Sequence, residues 1–216
     1  MPFVDRMDAG RRLSGALDHL RGDDVVVLGL PRGGVVVASE VAEALGAPLD
    51  VVLVRKLGVP AQPELAAGAA GEGGVLVRNE SVVRRARVSE TVLADLARRA
   101  RAEIDRRALL YRGGRAREPV AGRTAVVVDD GIATGATARA ACQVVRAQGA
   151  DRVVLAAPVC SRDTAAALSG EVDELVCLET PARFLGVGWF YANFRQVTDD
   201  EVVDLLRRAA ASRAPG

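Results

Sequence analysis

At 216 residues, half of them apolar and 26% charged, the chain has the bulk for one large folded domain, which excludes a disordered or low-complexity protein. A formal net charge of +1 gives no broad electrostatic case for nucleic acid or an anionic membrane, and no apolar run approaches the ~20 residues of a spanning helix. Cys142, Cys160 and Cys177 lie far apart without metal-ligand spacing and no signal peptide opens the chain, so buried thiols in a reducing cytoplasm are expected.

In chain order, Met7 to Arg21 has helical periodicity, with Leu13, Ala16, Leu17 and Leu20 on one face; it carries His19, the only histidine, expected to be structural. Val25 to Leu30 predicts a buried strand, followed by the turn Pro31-Arg32-Gly33-Gly34 and a helix over Val35–Leu45. The glycines do not fall as G-x-G-x-x-G, and Val35 stands where a phosphate-binding loop would need Lys, so neither nucleotide fingerprint applies. Leu49 to Val54 predicts a third strand. It ends in Arg55 and Lys56, two cations aimed at the crevice where α/β sheets bind ligands; Lys56 is the only lysine among 29 basic residues.

Leu57 to Gly74, with five glycines and two prolines, excludes a regular element; so long a loop in a compact domain is functional or disordered. Val75 to Arg87 is open between a strand pair and a strand with a short helix. Ser89 to Tyr111 predicts a capped helix whose arginines, Arg98, Arg99, Arg101, Arg106 and Arg107, form a solvated face.

The stretch that organises the rest is Arg123 to Ala140. The β-branched run Ala125–Val128 predicts a buried strand, and Asp129 and Asp130 follow at its end. Next come Gly131-Ile132-Ala133-Thr134-Gly135-Ala136-Thr137 and an alanine-rich helix from Ala138. Backbone N–H groups, hydroxyls and a helix dipole favour a phosphate at that turn. Two carboxylates beside a phosphate make sense when the ligand also carries hydroxyls or Mg²⁺. Beyond it, strands Val153–Ala157 and Glu174–Leu178 flank a helix over Asp163–Leu168, with Cys160, Ser161 and Glu179 on the ligand rim. Phe184, Trp189, Phe190, Tyr191 and Phe194 gather five of seven aromatics within eleven residues, before a helix over Asp199–Ala211. They suit either stacking on a heterocycle, Trp189 foremost, or packing of that helix on the core.

VVVDDGIATGAT resembles the phosphoribosyl-diphosphate (PRPP) signature of type I phosphoribosyltransferases, and the layout with PRGG and RKLG is similar to bacterial stand-alone members. The resemblance implies a single α/β domain over 1–216, a mainly parallel central sheet flanked by helices with a small hood segment. It implies that Asp129 and Asp130 hold the ribose hydroxyls, that Ala133, Thr134, Gly135, Ala136 and Thr137 cradle the 5-phosphate, and that Gly131 belongs to the same substrate-binding turn. Pro31, Arg32, Gly33 and Gly34 correspond to the pyrophosphate loop, 57–74 to a mobile lid, and 180–211 to the hood and its helix. Arg55 and Lys56 would act in catalysis on the leaving pyrophosphate, and Trp189 would stack on the base.

The activity so implied is transfer of 5-phosphoribosyl from PRPP to a purine-like base, as in nucleotide salvage, with Mg²⁺ bound alongside PRPP. The metal's ligands stay open, Asp129 and Asp130 through water being one option, and so does a homodimer. No nucleic acid and no membrane are expected as partners. In 6-oxopurine members an Asp stands where this chain has Ala133, which sets hypoxanthine and guanine apart; Glu64 and Glu179 are the remaining candidate bases. The alternative is a PRPP- or nucleotide-sensing regulator that keeps the fold without turnover.

Overall fold

Runs of valine bounded by glycine and charge become strands buried on both faces, because β-branched side chains pack well on a pleated surface covered by helices. The computed structural model describes residues 3–60 and 62–212, apart from the side chains of Pro63 and Glu64, so the candidate base Glu64 lies outside the described residues. The chain begins with α1 (Arg6–Ala16), β1 (Val25–Gly29), α2 (Gly33–Leu45) and β2 (Leu49–Val51). Then come β3 (Val54–Val59), β4 (Gln62–Gly71), β5 (Leu76–Arg78), α3 (Glu80–Arg85) and α4 (Glu90–Arg112). It closes with β6 (Thr124–Val128), α5 (Ala136–Ala147), β7 (Arg152–Val159), α6 (Arg162–Leu168), β8 (Glu174–Glu179) and α7 (Asp199–Ala211). No described helix is long and apolar enough to cross a membrane.

Five strands form one parallel sheet in the order β2-β1-β6-β7-β8. Alternate side chains serve opposite faces. Val25, Val27, Val126 and Val128 share a core with α1, α2, α4 and α7, while Val26, Leu28, Ala125 and Val127 share one with α5 and Leu168 of α6. Register runs from Val25 opposite Thr124 to Gly29 opposite Val128, so β1 and β6 end level. From β1 the chain steps outward to β2, whereas β6 starts the other half of the sheet. The crevice above their carboxyl ends is therefore the switch point at which open α/β sheets bind ligands.

Two expectations need correction. The strand begun at Leu49 stops at Val51, and Arg55 and Lys56 lie in β3 of a separate antiparallel sheet, β3-β4-β5. Successive side chains on a strand face opposite ways, so the two cations are not aimed together into the crevice from the carboxyl end of a central-sheet strand. The 57–74 segment is likewise not irregular: β3 and β4 form a hairpin through most of it, and β4 is the longest strand described. Its glycines answer close packing. A Cβ on Gly71 would stand 2.2 Å from Cγ1 of Val144 on α5, and one on Gly68 2.3 Å from the carbonyl oxygen of Val77 on β5. The ambiguous 75–87 segment resolves as β5 followed by α3.

The hairpin's base is tied down by a charge network that sequence periodicity does not show. Arg112, 6% exposed at the end of α4, donates from Nε to Asp50 (2.8 Å) and from both terminal nitrogens to Glu72 (2.5 and 2.9 Å). His19 pairs with Glu174 (3.0 Å) on the surface.

Candidate active site

The end of β6 delivers two carboxylates into the switch-point crevice. Asp129 is anchored by its N–H to the carbonyl of Ala156, and its Oδ1 accepts the N–H of Asp130 (2.9 Å). Burial, then the charge of Asp130, push the Asp129 carboxyl up to about 8. Burial also raises Asp130, opposed by the hydrogen bond and charge of Arg6.

The turn after β1 closes on this pair. Its Pro31–Arg32 peptide is cis, and Gly33 and Gly34 open α2. A Cβ on Gly33 would lie 1.9 Å from Oδ2 of Asp130, and one on Gly34 2.6 Å from the carbonyl oxygen of Val128. Only glycines let two loops approach so closely. Arg32 itself lines a polar cavity of about 390 Å³ with Arg106, Arg107, Tyr111 and Asp199. In that cavity the Tyr111 hydroxyl donates to Asp199 (2.6 Å). Arg106 and Arg107 both bond Glu103 (2.9 and 2.8 Å), and Arg55 of β3 approaches the same carboxylate at 4.0 Å. Part of the arginine face of α4, expected to be solvated, therefore faces the pyrophosphate turn. Lys56 is exposed on β3.

On the other side of the pair, Gly131 to Thr137 wraps the N-terminus of α5. Gly135 takes the left-handed conformation (φ 73°), and the helix begins at Ala136, ahead of the expected Ala138. No side chain caps this terminus; Thr134 and Thr137 are exposed beside its first N–H groups. Ala133, also exposed, offers not a side-chain acid but a carbonyl that accepts from Ser161 Oγ (3.0 Å) and Thr164 Oγ1 (2.7 Å). Sequence reasoning does not single out those two hydroxyls as supports, because they lie about thirty residues away in the chain.

The aromatic segment forms the far wall. Val187 packs on Gly131, where a Cβ would meet its Cγ1 at 2.3 Å. The Tyr191 hydroxyl donates to the Asp130 carbonyl (2.6 Å), and Tyr191 bridges Phe3 at the start of the chain. Phe184 stacks on Phe190 at 5.6 Å and lines a cavity of about 460 Å³ with Ala133, Thr134, Ser161, Arg162 and Asp163. Trp189 is 73% exposed and does not line that cavity; nor does Glu179, exposed at the end of β8. Arg6, also absent from the sequence reading, reaches the acid pair from α1: its Nε donates to Asp130 Oδ2 at 2.7 Å.

Comparison with known proteins decides the family to which this geometry belongs. The family profile described as "Phosphoribosyl transferase domain" matches residues 5–191. The chain belongs to the phosphoribosyl transferase family. Two Mycobacterium tuberculosis proteins, from strains CDC 1551 / Oshkosh and H37Rv, both carry the name "Putative phosphoribosyl transferase". Each is 59% identical to this phosphoribosyl transferase domain over 207 residues, 96% of this chain. The chain spans 47% of those relatives' length. The crystal structure of TT1426 from Thermus thermophilus superposes with a TM-score of 0.90 at 47% identity, covering 96% of this chain and 99% of that one.

Proposed function

We propose that this domain transfers a 5-phosphoribosyl group from PRPP to a heterocyclic, purine-like base and releases pyrophosphate. One observation carries the reading: three loops meet at the switch point, each with the chemistry for one part of PRPP. The 131–137 turn offers free N–H groups at a helix N-terminus to the 5-phosphate. Asp129 and Asp130 offer carboxylate oxygens to the ribose hydroxyls. The 31–34 turn, with Arg32 and the arginine-lined cavity behind it, receives the pyrophosphate.

In the reaction the bond from C1 to the pyrophosphate oxygen breaks with its electron pair, the base nitrogen forms a bond to C1, and the proton that nitrogen carried passes to the departing pyrophosphate or to solvent. Carboxylates near the ring favour the positive charge that grows on it, and the arginines favour the negative charge that leaves. The residues fit a Mg²⁺ that arrives with PRPP. Two adjacent carboxylates are present, but no cluster of three or more His, Cys, Asp or Glu exists among the described residues, and Mg²⁺ at phosphate sites commonly keeps waters and uses one or two carboxylates. When bound there, through water on Asp129 and Asp130, it would neutralise charge on the leaving group. The 460 Å³ cavity walled by Phe184 has the size and the aromatic face for the base. Ala133 presents a held carbonyl instead of a carboxylate, which supports an acceptor other than a 6-oxopurine.

Pyrophosphate release measured over a panel of purine and pyrimidine bases tests the reading. The wild type is expected to turn over with at least one base. Asp129→Asn with Asp130→Asn is expected to lose at least ~10²-fold in turnover while staying folded, the order of effect of removing preorganised electrostatic groups. PRPP binding without release for any base would overturn transfer and favour a PRPP sensor.

A further inference from the structure

The acid pair is not left to itself. Arg6 sits in the first turn of α1, whose N-terminus Asp5 caps, and it is 8% exposed. Its Nε donates to Oδ2 of Asp130 (2.7 Å) and its NH1 to the Arg195 carbonyl (2.8 Å). The guanidinium carbon lies 3.9 Å from the centre of the Phe194 ring. A Cβ on Gly33 would come within 2.7 Å of Nε, so the pyrophosphate turn roofs the pair. Thus one side chain binds together α1, the terminal aromatic segment, the turn after β1 and the acid pair.

The distribution of bonds over the two carboxylates is informative. Asp129 gives Oδ1 to the N–H of Asp130, and Asp130 gives Oδ2 to Arg6. Among the described residues, no other residue donates to Oδ2 of Asp129 or to Oδ1 of Asp130. Each carboxylate therefore has one oxygen committed to the protein and one left for a ligand. With both carboxyls ionised, two neighbouring acceptors of fixed direction match two vicinal hydroxyls, each of which donates one O–H.

We infer that Arg6 is a positioning residue for ribose recognition: by engaging Oδ2 it fixes Asp130 so that Oδ1 meets a ribose hydroxyl. The inference rests on the ribose-binding role proposed above for the acid pair. A planar guanidinium suits the task because it can address a carboxylate and a carbonyl at once while its face packs on an aromatic ring; an ammonium is a single point charge.

Calorimetric titration with ribose 5-phosphate and with inorganic phosphate tests this. Both ligands read the phosphate-binding turns, and only ribose 5-phosphate adds the sugar that the acid pair holds, so the ratio of the two affinities isolates the sugar. The wild type is expected to prefer ribose 5-phosphate by ~10-fold or more, as hydrogen bonds to charged groups allow. Arg6→Met is expected to bring that ratio close to one while phosphate affinity stays within about twofold, an order-of-magnitude tolerance for an undisturbed site. Arg6→Lys is expected to fall between, and it carries the same test if the Met variant does not fold. If both affinities fall together and the ratio persists, Arg6 is only a structural tie and the inference is overturned. If the wild type itself shows no preference for the sugar, the role of the acid pair fails first, and this inference with it.

Discussion

Asp129 is a residue whose place in the fold opposes stability. Burial and the neighbouring Asp130 raise its carboxyl from 3.8 to about 8, so the folded state holds a proton that the unfolded chain releases. The sign follows from linkage: stability from this group is complete below pH ~4 and declines as pH rises toward ~8, by at most about 1.4 kcal/mol per pH unit. Asp129→Asn removes the titration. In melting experiments without ligand or divalent metal, the variant's melting temperature relative to wild type is expected to climb between pH 5 and pH 8. A difference that stays flat across that range would mean Asp129 is not held protonated. The acid pair was legible in the sequence because its chemistry is confined to a short run: two acids after four apolar residues, then a small-residue turn. Arg6 was not legible, because its partner lies 124 positions away and nothing in a helical pattern marks an arginine that turns inward.

At the scale of elements, β4 shows how composition misleads. Ala66, Ala67, Gly68, Ala69, Ala70 and Gly71 have low strand preference and two breakers among them, yet they form one strand of the hairpin. What selects them is the distance to α5 and β5. Ala69 is buried with Ala140 and Val144, and Gly71 has no room for a side chain. Helices, in contrast, were legible because their signals are local: the apolar spacing repeats within each segment, and Ser89, read as a cap, accepts from Val92 N–H. Gly71→Val is expected to destabilise the fold by ~1–3 kcal/mol through overpacking against Val144. Gly15, near the end of α1 with nothing within 4 Å of an added Cβ, is the control; Gly15→Ala is expected to stabilise by ~0.5–1 kcal/mol. Urea unfolding of both variants checks the pair of signs. Equal small effects would mean that the tight fit at Gly71 does not exist in solution.

Over the whole molecule charge is nearly balanced, at +1, but it is not evenly spread. Arg32 from the turn after β1 and Arg106 and Arg107 from α4 converge beside the pyrophosphate turn, and Arg55 from β3 reaches Glu103 behind Arg106 and Arg107. Glu103 answers three of these guanidinia, and its carboxyl is held down to about 2 by hydrogen bonds from Arg106 and Arg107. It stays charged without cancelling the cations. The sequence places these arginines on a solvated helix face because i, i+3 and i, i+4 pairing with Glu103 explains them locally; only the tertiary fold turns that face toward Arg32. If the cluster receives the leaving group, Arg106→Ala with Arg107→Ala should weaken pyrophosphate binding by ~10-fold, the scale of lost charge-assisted hydrogen bonds. Turnover should fall with it, and the loss should shrink as salt rises toward 1 M, where the screening length is ~3 Å. Ribose 5-phosphate, which engages the 131–137 turn and the acid pair, should bind as before. Pyrophosphate affinity unchanged in the double variant would take the leaving group away from α4 and assign it to the turn's own N–H groups.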